Sequence, residues 1–561
     1  MRKTSGTVEG DVRLNGFPQE GISFRRCSGY VEQFDVQTPQ LTVRETVLFS
    51  ARLRLDAKKV KTDEEKQTFC DQVLRTLELT ELADCLVGDD QEGGLSFEQK
   101  KRLSIAVELA ASPSILFLDE PTTGLDARSA LLVVKLLRKI ADQGRTICAT
   151  IHQPSSAVFE MFDDLLLLKT GGRVVYFGPL GGQSKHLISY LERNGADRID
   201  MGDNPANWML REITSTKNPR DLAEVYASSP EHQALLKKFE DLKENPVPSL
   251  KISYTSQFAA PAELRQKLVN KRLQTIYWRS PAYNLSRLLV CTVIAFILGS
   301  VFLGNRNPEV VTESDMRAWL SVTFLSFIII GILSIISVLP VMLSIRDVFY
   351  RHRAAGMLDN ISLGWALGTA EKWFIVIASF LFCTVFIGVS GLTGIILKRA
   401  IRFWGIFTFN LAIYSYFGQA FMCLVPSMPT AQILASVFIG LNNFFSGLIV
   451  RPQFMTGFFE ITYWITPGHY VYEGLVLAQF HGDNRTVIAV NNSDFYDFLG
   501  CAEFNINPCN GTIEQYVHVF FGGRFNKDNE LQDILVLALF LVTARVVTFF
   551  ALKRFNFSDK Q

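Results

Sequence analysis

Six apolar segments in the second half of the chain, near residues 285–304, 318–344, 363–390, 403–425, 430–450 and 531–552, limit the fold more than any other feature. Each is near or above the roughly 20 residues that a helix needs to cross a bilayer. A backbone in hydrocarbon must satisfy its own hydrogen bonds, so the expectation is an all-α bundle over 284–552. An even number of spans returns both ends to one side. Lys267, Lys271, Arg272, Arg279 and Arg287 before the first span, Arg346, Arg351 and Arg353 after the second, and Lys553 and Arg554 at the end mark that side as cytoplasmic. Lys398, Arg399 and Arg402 fall on the other side and count against this orientation. The loop over 451–530 is then external, after an aromatic start at Phe458, Phe459, Tyr463 and Trp464 that suits a membrane interface. It carries three glycosylation sequons, at Asn484, Asn491 and Asn510, and Cys501 and Cys509, a candidate disulfide in an oxidising compartment.

The first half is of another kind. Charged residues make up 20% of the chain and crowd into it, and 561 residues leave room for two large units. Ile115 to Leu118, between Pro113 and Asp119-Glu120-Pro121, suits a buried parallel strand that delivers two carboxylates at its carboxyl end. That edge of an α/β sheet is where ligands bind. An Asp there can hold Mg²⁺, and the adjacent Glu can polarise a water for attack on a phosphoryl group, so the expected chemistry is nucleotide hydrolysis. Ser96-Phe97-Glu98-Gln99 has the form of a capping box and starts a helix whose amino end can face a phosphate. Thr42 and Glu45 form a second box, with helices over 43–53 and 63–84, and strands are expected over 8–14, 27–31, 145–151 and 174–179. Residues 183–260 are charged, with Pro246 and Pro248, and read as a linker. Residues 261–283 set Leu264, Leu268, Leu273 and Ile276 against Arg265, Lys267, Lys271 and Arg272, which suits a helix lying on headgroups of membrane lipids or a solvated connector.

Composition excludes several classes. A net charge of +1 and no recognition motif speak against nucleic acid as a partner. The nine cysteines form no zinc spacing, and Met1 to Ser5 is too polar for a secretory signal.

The order Gln33, Ser96 to Gln99, Asp119-Glu120, Asp126 and His152 resembles the nucleotide-binding domain of ABC transporters. Val107 to Ala110 and His152-Gln153-Pro154-Ser155 are similar to the ABCG class, and the closer resemblance is to its full-size pleiotropic drug resistance transporters. The resemblance implies an α/β P-loop-type domain over 1–182, with Glu120 and His152 as catalytic residues. Gln33, Ser96, Gln99 and Asp126 would contact ATP, and Asp119 with Gln33 would hold Mg²⁺. It implies a connecting helix over 261–283, and an intracellular coupling loop at Arg346, Phe349, Tyr350 and Arg351 that presses on the nucleotide-binding domain. Leu448 and Ile449, near the outer end of the fifth helix, resemble the apolar plug of ABCG transporters, or pack as an ordinary helix. A short cytoplasmic tail covers 553–561.

The chain departs from the family pattern twice. No Gly-x-x-x-x-Gly-Lys-Ser/Thr occurs anywhere, so the loop that cradles β- and γ-phosphates is missing. Phe97 and Glu98 stand at the two glycine positions of the signature, removing close backbone approach and adding a negative charge where a phosphate belongs. The expectation is the carboxy-terminal half of a plasma-membrane exporter of hydrophobic drugs, sterols or lipids. It pairs with an amino-terminal half of the same polypeptide, or with a second ABC half. The alternative is an ATPase-inactive fragment or structural half.

Overall fold

Three short strands pair side by side in parallel, Ser28–Val31 (β1), the apolar Ile115–Leu118 (β2) and Thr146–Ala149 (β3), with β2 in the middle. In the computed structural model, which describes residues 7, 9–56, 60, 62–89, 93–214, 221–301, 311–391, 397–501 and 508–557, this sheet belongs to one of two compact units. The first is Met1–Arg265 with Arg351–Leu358, and the second is Gln266–Tyr350 with Asp359–Gln561.

In the first unit the expected strand over 8–14 is reduced to Arg13–Leu14, paired with Phe17–Pro18. Residues 1–6 and 8, part of the opening stretch, lie outside the described residues. Thr42 starts Val43–Arg54 (α1) through a complete capping box with Glu45. Asp63–Thr76 (α2) stops eight residues short of the expected end, because Glu78 takes a left-handed backbone, φ 53°, that no helix continues through. Ser96 and Gln99 close the box that starts Phe97–Leu109 (α3), and Asp126 caps Ala127–Ala141 (α4). Residues 183–260 are not an extended linker. Helices at Lys185–Arg193, Pro205–Thr214 and Leu222–Ala227 bury Leu187, Tyr190, Trp208 and Tyr226 against Val175 and Tyr176 of the strand Arg173–Pro179. Lys185, Arg193, Arg211 and Glu224 on these helices are exposed, whereas Glu212 is buried and accepts from the Asp197 backbone N–H at 3.1 Å. Pro230–Glu244 buries no residue fully.

The second unit is helical. Ala262–Trp278 (α5) departs from a helix lying on headgroups: it buries Val269, Leu273, Ile276 and Tyr277, and Arg272, placed on the polar face by sequence, is buried too. Its Tyr277 ring stacks on Phe374 at 5.9 Å. The six apolar segments correspond to Pro281–Ser300 (α6), Glu313–Ala354 (α7), Asn360–Ser390 (α8), Leu397–Leu424 (α9), Met428–Phe444 (α10) and Glu530–Arg554 (α12), with Pro467–Phe480 (α11) between the last two. Among the described residues α7, α8, α12 and the Tyr283–Ser300 part of α6 are long and apolar enough to cross a membrane. The α9 helix is long enough but carries Asn410, Ser415 and Gln419 in its buried face, and α10 has only 17 residues. Small residues let the helices approach closely: a Cβ on Gly331 of α7 would lie 2.8 Å from the Tyr414 ring of α9.

Two features of this unit were missed from sequence. Arg287, counted as a cytoplasmic flanking charge, is buried and pairs with Glu371 at 2.8 Å, while Tyr283 donates to the same carboxylate at 2.6 Å and Ser415 accepts from Arg287 at 2.8 Å. Arg545 of α12 donates to Gln419 at 2.9 Å. Lone charges inside apolar spans were the signal available, since such residues persist in lipid only when paired. The arginines that opposed the expected orientation are also partnered, Arg399 by Asp483 at 3.6 Å and Arg402 by Glu530 at 3.7 Å.

The segment over 451–530, expected as a loop, is largely folded among the described residues. All but one residue of α11 are buried. Thr486–Ile488 joins Val311–Thr312 and Asn510–Thr512 in a small three-stranded sheet. Cys501 and Cys509 form a disulfide, with Cα atoms 6.0 Å apart. Asn484, Asn491 and Asn510 are all exposed.

Candidate functional site

The register of the sheet brings its three carboxyl ends to one edge. Val31 lies beside Leu118, and Leu118 beside Ala149, so Gln33, Asp119 with Glu120, and Thr150 with His152 follow from adjacent strands. Gln33 Nε2 donates to Glu120 Oε2 at 2.9 Å, and Thr123 Oγ1 donates to the same oxygen at 2.9 Å. Asp119 is held on both sides: Tyr30 Oη donates to Oδ2 at 2.8 Å, and Thr150 Oγ1 to Oδ1 at 3.1 Å. Thr150 Oγ1 in turn accepts the Glu120 backbone N–H at 2.9 Å. Glu120 adopts φ 43°, a left-handed conformation that a non-glycine residue takes at an energetic cost and that clusters at functional sites. It is half-buried, whereas His152 is exposed at the same edge.

The remaining site residues lie around the amino ends of α3 and α4. Ser96 and Gln99 spend their side chains on each other: Gln99 Oε1 accepts the Ser96 N–H at 2.9 Å, and Ser96 Oγ accepts the Gln99 N–H at 3.3 Å. Phe97 is half exposed and faces Gly124, where a Cβ would meet its ring at 3.1 Å. Glu98 pairs with Arg102 at 3.1 Å and accepts from Ser129 Oγ at 3.1 Å. Asp126 accepts the backbone N–H of Ser129 at 3.0 Å and of Arg128 at 2.9 Å. Donation from the Ser129 backbone and then its hydroxyl holds the Asp126 carboxyl below its ordinary range.

Sequence reasoning missed Tyr30 and Thr150, which position the carboxylate pair. Tyr30 stands one residue before the end of β1 and Thr150 one residue after the end of β3, and their position beside β2 was the available signal. The donor set fits Mg²⁺ that arrives with a phosphate ligand. Among the described residues no group of three His, Cys, Asp or Glu can hold a metal, while a single carboxylate with a nearby amide suits an ion that keeps water and substrate oxygens.

The predicted coupling residues separate. The stretch expected as a loop is helical through Ala354 and turns at Gly356, φ 69°. Arg346 has its partners within the second unit. It is fully buried and donates to the carbonyls of Met422 at 2.7 Å, Val425 at 2.6 Å and Pro426 at 3.0 Å, satisfying the end of α9 that its own backbone leaves open. Phe349 and Tyr350 are buried, their rings 6.2 Å apart. Arg351 belongs to the first unit, donating to Val36 O at 3.0 Å and lying 3.8 Å from Glu32. Leu448 and Ile449 do not lie on the fifth helix, which ends at Phe444. They line an open depression of about 680 Å³ with Arg317, Arg451 and Phe520.

Comparison with known proteins agrees with this arrangement. The family model described as "ABC transporter" matches residues 1–123, and two described as "ABC-2 type transporter" match 152–204 and 266–480. ABC transporter G family member 36 of Arabidopsis thaliana is 37% identical over 568 residues, which cover 100% of this chain and 37% of that protein. Pleiotropic drug resistance protein 1 of Nicotiana tabacum is 35% identical, over 100% of this chain and 37% of its own length. The chain is a homologue of the G-family ABC transporters of the pleiotropic drug resistance type. It therefore carries an ABC nucleotide-binding domain followed by a helical membrane domain, and it is a membrane protein. The G-family homologue spans little more than a third of the curated relatives that it matches.

Proposed function

We propose that the chain is the carboxy-terminal half of a full-size exporter, in which ATP hydrolysis drives hydrophobic drugs, sterols or lipids across the plasma membrane. The observation that carries this reading is the grouping of Gln33, Asp119, Glu120 and His152 at one sheet edge, in a chain that also contains helices long and apolar enough to cross a membrane. Glu120 polarises the attacking water, and its hydrogen bonds from Gln33 and Thr123 aim the carboxylate. Asp119, fixed by Tyr30 and Thr150, would hold Mg²⁺, which when bound would neutralise phosphate charge. His152 steadies the γ-phosphate. The phosphate cradle that this sequence lacks comes from elsewhere in the full-size protein.

The signature side of this domain is the weaker half. Glu98, tied to Arg102 and Ser129, sets a carboxylate where a phosphate would dock. In the proposed dimer the partner half supplies a working signature to the Glu120 site, while Ser96 and Gln99 contribute to a degenerate one. Arg351 transmits closure between domains, both termini are cytoplasmic, and the sequons and the disulfide face outward.

The same departures favour a second reading, an ATPase-inactive structural half. Measuring ATP-dependent uptake of a hydrophobic dye into inside-out vesicles separates the two. Uptake by the full-size transporter that is lost in its Glu120→Gln variant supports export; uptake that persists in that variant supports the structural half.

A further inference from the structure

The loop that carries Gln33 is held from behind by α3. Lys101 on that helix has a side chain with no exposed surface; its Nζ donates to the Gln33 carbonyl at 2.8 Å and pairs with Asp35 at 2.9 Å, the Asp35 side chain being 3% exposed. One turn on, Ser104 Oγ accepts from Gln37 Nε2 at 3.2 Å. Arg351 grips the same loop through Val36 and Glu32. Between these contacts stands Gln33, whose amide reaches Glu120.

A buried ion pair is a poor way to add stability, since apolar side chains of similar volume hold two elements together at least as well. A charged donor does something that they cannot. It fixes the Gln33 carbonyl, hence the plane of that peptide and the direction in which the neighbouring side chain leaves the backbone. We propose that Lys101 is a positioning residue for hydrolysis, tying the signature helix to the Gln33 peptide so that the placement of α3 governs how Gln33 meets Glu120. The proposal rests on reading Glu120 as the group that polarises water.

The test uses the full-size transporter in liposomes. Lys101→Met alone strands a buried carboxylate, so it is combined with Asp35→Asn, and thermal unfolding identifies the folded preparations. The expected result is a fall in kcat on the order of tenfold at unchanged KM for ATP, as for a displaced positioning group. Asp35→Asn alone, which keeps the Lys101 donor, is the control should the double variant not fold. It is expected to lose less than about threefold, because the bond to the Gln33 carbonyl remains. A second arm adds Gln33→Ala to each. If Lys101 acts through Gln33, the combination loses no more than Gln33→Ala alone. Wild-type kcat in the folded double variant, a loss of tenfold in Asp35→Asn alone, or losses that multiply with Gln33→Ala overturn the proposal. Full turnover in Glu120→Gln refutes the underlying reading instead, whatever Lys101 does.

Discussion

At the scale of single residues, the site is a set of carboxylates aimed by hydroxyls and one amide. Tyr30 and Thr150 leave Asp119 little freedom, and such supporting groups tune metal affinity by fixing the ligand. Tyr30→Phe is therefore expected to raise the Mg²⁺ concentration for half-maximal ATP turnover by about tenfold, read from a Mg²⁺ titration of the full-size transporter. An unchanged titration would show that Thr150 alone fixes Asp119. The strand that ends in Asp119 and Glu120 was legible in the sequence as an apolar run bounded by proline and two acids, whereas Gln33 was singled out only by the family resemblance. Tyr30 was not legible, since an aromatic side chain in a buried strand reads as packing until its hydroxyl is seen to reach a partner 89 residues away. Ser96 and Gln99 show the opposite gap: their box was legible, but it uses both side chains for capping.

At the scale of elements, Arg346 is the clearest correction. Its place in a basic stretch after an apolar segment suggested a charge in a loop, yet it closes the carboxyl end of α9 with three carbonyl bonds. Hydrogen bonds to a charged donor each contribute about 1.5–3 kcal/mol, so Arg346→Met is expected to destabilise the membrane unit by at least about 3 kcal/mol. A melt in detergent reads this as a lowered Tm; no change would mean that water satisfies α9. The disulfide gives a second case. Closing a loop between residues eight apart removes about 2–3 kcal/mol of chain entropy. Cys501→Ser should make the 486–520 segment open to protease while ATP turnover persists. Equal protease resistance in that variant and the wild type would contradict it. In the first unit Arg52 forks onto Asp63 at 2.7 and 2.6 Å and lowers its pKa to about 2. A depressed carboxyl pKa stabilises above its ordinary value near 4 and loses that contribution as pH falls through about 2. Asp63→Asn should therefore remove a pH-dependent increment of at most about 1 kcal/mol between pH 2 and 4, the pair being partly exposed. An identical acid-unfolding profile in that variant would refute it.

At the scale of the whole molecule, the sequence carried the division into an α/β half and an apolar half, because each is written as a local pattern. It did not carry the membership of Arg351–Leu358 in the first unit, which depends on contacts across more than 300 residues such as Arg351 with Val36. Nor did it show that residues 183–260 build a core, since short amphipathic helices with exposed charges look like a linker in composition. The proposed transport cycle depends on Glu120 as the group that activates water. The most direct measurement is ATP turnover and dye efflux by the full-size protein carrying Glu120→Gln, with nucleotide binding followed in parallel. Turnover is predicted to fall by about 10²-fold or more and efflux to stop while ATP still binds; wild-type turnover and efflux would contradict the account.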